Sequence, residues 1–149
     1  MSPVVIVVIV SVCILLALAV TFAYIRRLVA DRERSIRERF PQARLLLPNV
    51  HFFGQQSLGV TQARGNGTLA LTDSELYFER WVPRKEYRIP LSAISSIETP
   101  TSFLGKTRFR PLLQVNFTND NGQPDAMAWH LLDLDGAKRA IEAAISSKG

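Results

Sequence analysis

Gly65-Asn66-Gly67-Thr68-Leu69-Ala70-Leu71-Thr72-Asp73-Ser74-Glu75-Leu76-Tyr77-Phe78-Glu79-Arg80-Trp81 is the stretch that decides the fold class. Leu69 and Leu71 recur at the two-residue period of a half-buried strand. Asp73-Ser74 is a turn signal. The chain then returns with Leu76 and Phe78 on one face, and Tyr77, Glu79 and Trp81 on the other. Two such runs joined by a short polar turn predict an antiparallel hairpin.

Downstream the pattern repeats. Val82-Pro83-Arg84-Lys85 reads as a loop, because Pro83 has no N–H to give a ladder. Tyr87 to Ile89 is a short strand, Pro90 to Ile94 one helical turn, and Ser95 to Thr99 a further strand. Leu112 to Thr118 points Leu113, Val115 and Phe117 inward. Asn119-Asp120-Asn121-Gly122 is a hairpin loop, and Asp125 to Leu131 returns with Met127, Trp129 and Leu131 on one face. Asp133 or Asp135 caps a last helix that runs to about Ser146. Its apolar stripe is Ala137, Ala140, Ile141, Ala144 and Ile145. The expectation is a mainly β domain, a bent sheet or barrel of short antiparallel strands, closed by a C-terminal helix. Upstream, residues 41–64 read as an irregular lead-in. Leu45-Leu46-Leu47 and Val50-His51-Phe52-Phe53 are apolar, but Pro48, Gly54 and Gly59 interrupt any long element.

The runs Gly65 to Thr72, Leu76-Tyr77-Phe78 and Arg88-Ile89-Pro90-Leu91-Ser92-Ala93-Ile94 resemble the opening of PH-like and GRAM-like domains. Pro111 to Phe117, and Ala128-Trp129-His130 before a closing helix, are similar too. The resemblance covers about residues 65–147. With the segment that precedes it, the arrangement is similar to that of small membrane-anchored bacterial proteins. It implies a binding or adaptor role, toward lipid headgroups or peptides.

That preceding segment dominates the composition. The chain has 149 residues, is 47% hydrophobic and carries a formal charge of +5. Val4 to Ile25 contains no charge, and only Ser11 and Thr21 fall outside the apolar set. As a helix it is about 33 Å long, against a hydrocarbon core of roughly 30 Å. Residues 1–25 therefore read as a single transmembrane helix, spanning 4–25. Met1-Ser2-Pro3 lacks the basic start of a cleaved signal. Residues 26–40 read as a basic helical connector ended by Pro41. It holds Arg26, Arg27, Arg32, Arg34, Arg37 and Arg39 against three acids. By the positive-inside rule the N-terminus lies outside and the C-terminal domain in the cytoplasm, on the plasma membrane. Asn66-Gly67-Thr68 and Asn116-Phe117-Thr118 are then chance sequons. From Pro41 onward the charge is only +2, which argues against nucleic acid as a partner.

Few motifs carry chemistry. Gly105-Lys106-Thr107 imitates the end of a P-loop, but Pro100 stands where the first glycine belongs, and a strand follows instead of a helix. Cys13 alone supports neither a disulfide nor a thiolate metal site. His130 with Asp133 and Asp135 is better explained by helix capping than by metal. No nucleophile stands with a histidine and an acid in a known spacing. No catalytic, cofactor or metal residue is assigned. Two basic runs remain. Arg84 and Lys85 cluster with Arg80 and Arg88 around Pro83. Lys106, Arg108 and Arg110 recur at spacing two, so that an extended segment would point all three one way. Phe109 and Trp81 are exposed aromatic candidates beside them. Residues 106–110 match the Lys-x(n)-Arg-x-Arg form of PH-family phosphate sites, although those span the first hairpin. Arg84, Lys85, Lys106, Arg108 and Arg110 are the anionic-ligand candidates. The expected function is a non-catalytic, membrane-anchored binding or scaffold module that contacts anionic headgroups. The alternatives are a protein–protein adaptor without lipid specificity and a membrane-tethered hydrolase.

Overall fold

The computed structural model describes residues 1–148. Helix α1 runs Pro3–Arg39 and ends just before the residue that precedes Pro41, where a prolyl ring disfavours helical backbone. Its apolar stretch is exposed throughout, and it is long and apolar enough to cross a membrane. Thr21 donates its hydroxyl to the Ala17 carbonyl at 2.8 Å, as a hydroxyl in an apolar helix should. The chain divides into two compact units, Met1–Ser35 and Ile36–Gly149.

The second unit is built on strands. They are β1 Leu45–Gln55, β2 Gly65–Leu71, β3 Glu75–Arg80, β4 Lys85–Pro90, β5 Ile94–Glu98, β6 Ser102–Phe103, β7 Lys106–Thr107, β8 Leu113–Thr118 and β9 Pro124–His130, followed by helix α2, Leu134–Ser146. Seven of them form one sheet in the order β4-β3-β2-β1-β9-β8-β5, and β6 and β7 form a separate hairpin. Every pairing is antiparallel. The expected hairpin forms as β2 and β3, with Leu69 opposite Phe78 and Leu71 opposite Leu76.

Residues 41–64 correct the expectation of an irregular lead-in. They hold β1, an eleven-residue strand bridging β2 and β9 at the centre of the sheet. Its register slips between Leu47 and Val50, and Asn49 there adopts a left-handed backbone. Such a bulge hides a strand from period-two reading. The domain therefore starts well before residue 65.

The inner face carries the main core. Phe52, Phe78, Tyr87 and Trp129 interlock with ring centroids 4.8–6.0 Å apart. Ala137, Ile141 and Ala144 of α2 close it. Asp133 caps that helix, accepting from the Gly136 amide at 3.0 Å. Burying one such aromatic contributes about 1.5–3 kcal/mol.

The outer face is covered too. Ile36, Ala70 and Tyr77 form one buried cluster, flanked by Phe40 and Leu46. Phe53, Phe103, Leu112, Ala126 and Ala128 form another, against Leu104. Trp81, expected as an exposed aromatic, is 8% exposed and donates its indole N–H to buried Thr68 at 3.1 Å.

Candidate anion-binding site

The structure separates the candidate cations into two places. Arg84 sits in the β3–β4 turn and serves the fold. Glu79 is 2% exposed and receives Arg39 at 3.0 Å, Arg84 at 3.1 Å and the Tyr77 hydroxyl at 3.2 Å. Glu86 takes further bonds from Arg39 and Arg84. A buried carboxylate is tolerated only with such pairing. Arg39, counted with the connector, thus belongs to the domain. Burial opposes its charge, but bonds to Glu86 and Tyr77 outweigh that and raise its pKa. The Arg39 bond in turn holds Glu86 low, and burial pushes the Tyr77 phenol up. Lys85 lies over the Tyr87 ring at 5.1 Å and lines a groove with Glu86 and Asp120.

Lys106, Arg108 and Arg110 belong to the β5–β8 connection. Leu104 and Gly105 both have positive φ, so the β6–β7 hairpin turns on two left-handed residues. What resembled a P-loop end is this turn. Phe103 and Leu104 fasten the hairpin to the outer cluster. The Thr107 hydroxyl donates to the Thr101 carbonyl at 2.6 Å and accepts from the Phe109 amide at 2.9 Å. Phe109 itself has φ 57°, so residues 106–110 are not extended and the three cations do not share one direction as a strand would arrange them. A left-handed aromatic costs about 1–2 kcal/mol. It leaves Phe109 91% exposed between two exposed arginines.

Beside this tip lies a cleft that spacing could not show. His51 and His130 are cross-strand partners on β1 and β9. His130 is on an interior strand, half-buried, and not at a sheet edge. Asn49, His51, Asn66, Arg108, His130, Leu131 and Leu132 line a cavity of about 250 Å³. A neighbour of about 320 Å³ adds Arg110, Asp133 and Asp135, and shares His130. His51 Nδ1 lies 2.8 Å from Asn66 Oδ1, and Asn66 Nδ2 donates to Asn49 Oδ1 at 2.9 Å. The pKa of His130 is lowered, first by burial, then by Arg108, Arg110 and His51. Among the described residues, no group of three His, Cys, Asp or Glu could hold a metal ion.

Elsewhere, Asp125 is buried and accepts from the Gln55 side chain and from both the amide and hydroxyl of Ser57. Desolvation would raise its pKa, but these bonds outweigh it and the net shift is downward. It anchors the β1–β2 connection.

No family model and no curated protein matches the chain. Solved structures do. The C-terminal domain of an unknown protein from Leishmania infantum aligns at TM-score 0.55 and 18% identity, over 76% of this chain and 96% of that one. A chain of the 8S snRNP assembly intermediate aligns at TM-score 0.55 and 11% identity, over 70% and 83%. The Vps36 N-terminal PH domain aligns at TM-score 0.47 and 16% identity, over 70% and 81%. The seven-strand antiparallel order closed by a C-terminal helix decides the class. The fold is PH-like. PH-like folds host many functions, so the site must speak for itself.

Proposed function

We propose that the protein is a non-catalytic, membrane-anchored binding module whose 106–110 tip contacts an anionic bilayer surface. The observation that carries this is Phe109, 91% exposed in a left-handed conformation between Arg108 and Arg110. Backbone strain that presents an apolar ring to water points to a function for that ring. Each cation near an anionic surface gains about 1 kcal/mol. Phe109 entering the acyl boundary adds about 2 kcal/mol. With Lys106, Arg108 and Arg110 the total is about 5 kcal/mol, a Kd near 0.2 mM. That is weak for a free domain. It is sufficient for one tethered by α1, where the effective concentration of surface is in the millimolar range.

The anchor is α1, and the arginines after Ile25 orient it with the domain in the cytoplasm. A cytoplasm-active reporter fused after Gly149 should therefore function, and an export-dependent one should not; the reverse pattern rejects this orientation.

For the tip, the full chain carrying Cys13→Ser and Phe109→Cys would be labelled on its single introduced thiol with a polarity-sensitive dye, in nanodiscs. Emission should shift to the blue in discs containing phosphatidylserine relative to phosphatidylcholine alone. Charge reversal at Lys106, Arg108 and Arg110 should remove the shift. Identical spectra in both lipids reject the lipid reading, and a shift seen only on adding a protein partner supports an adaptor instead.

A further inference from the structure

We propose that the cleft between His51 and His130 binds a phosphate group. The inference goes beyond bilayer contact and rests on the tip reading only in sharing Arg108. It stands on which hydrogen-bonding atoms the fold has already used. Asn66 Oδ1 and Asn49 Oδ1, the two side-chain carbonyl acceptors in the lining, are each engaged within it, by His51 and by Asn66. Because Asn66 Oδ1 can only accept, the hydrogen of that bond sits on His51 Nδ1, and in that tautomer Nε2 is an acceptor and not a donor. The side-chain capacity that remains is chiefly donor: the Asn49 amide, the second Asn66 N–H and the Arg108 guanidinium. Among the described residues, no carboxylate lines this cavity of about 250 Å³. A donor-rich, cationic, acid-free cleft is complementary to phosphate oxygens.

The titratable and charged groups near His130 come from several elements. His51 faces it from β1, and Arg108 and Arg110 from the β7–β8 loop. Asp133 and Asp135 stand in the adjoining cavity, at the start of α2. Those two acids disfavour an anion there and assign it to the acid-free side. The two guanidinium neighbours, Arg108 and Arg110, disfavour a charge on His130. A bound phosphate dianion removes that penalty, so binding and protonation of His130 reinforce each other.

The chain has two histidines, so two imidazole signals report directly. The full chain would be prepared with isotope-labelled histidine in phosphatidylcholine nanodiscs, and each signal titrated between about pH 5.5 and 8. Substituting His51→Gln assigns them. Saturating inorganic phosphate at fixed ionic strength should raise the His130 pKa by about one unit. Arg108→Gln, at an exposed position, should weaken this response at least tenfold in phosphate concentration. Phosphatidic acid in the discs, without free phosphate, distinguishes a headgroup source. A shift there alone, lost in Arg108→Gln, places the phosphate on a lipid and still supports the cleft. No shift from either source, or an equal shift in Arg108→Gln, overturns it. The readout is independent of the Phe109 dye. A His130 response without dye insertion leaves the cleft standing and the tip reading rejected.

Discussion

A chain shortened to begin at Pro41 should lose most of its folding free energy, although that start removes no strand. Ile36 is 0% exposed and seals the outer face over Ala70 and Tyr77. Losing a buried isoleucine and leaving its space empty costs about 3 kcal/mol. Phe40, whose ring packs tilted against Tyr77 at 4.7 Å, goes with it. So does Arg39, which leaves the buried Glu79 carboxylate short of a cation. The combined loss is on the order of 5 kcal/mol, comparable to the whole stability of many domains. Urea denaturation of chains starting at residue 33 and at residue 41 measures it. Equal midpoints would show that the last turn of α1 contributes nothing to the domain.

Gly67→Ala should be nearly as damaging. Gly67 lies opposite Arg80 in the β2–β3 ladder and faces the inner core. A methyl there would collide with the Glu79 carbonyl oxygen and come within 2.6 Å of the Phe78 ring. The ring has nowhere to go, since it is wedged against Phe52, Tyr87 and Trp129. Overpacking of this kind costs about 3 kcal/mol or more. Phe78→Leu in the same chain should recover part of that loss, because the two positions are in contact. Thermal or urea unfolding of the two single variants and the double variant tests both statements. A Gly67→Ala penalty below about 1 kcal/mol, or strict additivity with Phe78→Leu, rejects the steric account.

The inner face was legible because it obeys a period of two. Leu69, Leu71, Leu76, Phe78, Leu113, Val115, Phe117, Met127 and Trp129 all alternate, and all face one core. The cap at Asp133 and the α2 stripe were readable from local chemistry for the same reason. β1 was not readable, because it is buried on both faces at Phe52 and Phe53 and is slipped by its bulge. Trp81 reads as exposed but is buried, because an alternating strand looks half-exposed until something covers its second face. The exposure of Phe109 was legible, but its left-handed backbone was not. The His51–His130 pair depends on β1 meeting β9 across a large gap in sequence, and no spacing rule reports such a pairing. The only local hint was an imidazole inside each of two otherwise apolar runs, Val50-His51-Phe52-Phe53 and Trp129-His130-Leu131.

The β6–β7 hairpin is fastened to the sheet by Phe103 and Leu104, and contributes nothing to the ring stack beneath it. Among the described residues, two of the three buried clusters answer to different demands. One, around Phe52 and Trp129, is the main core that α2 closes. The other, under the hairpin, determines where Arg108, Phe109 and Arg110 are held. Substitution of Phe103 or Leu104 would therefore change how residues 106–110 are presented while the main core keeps its packing.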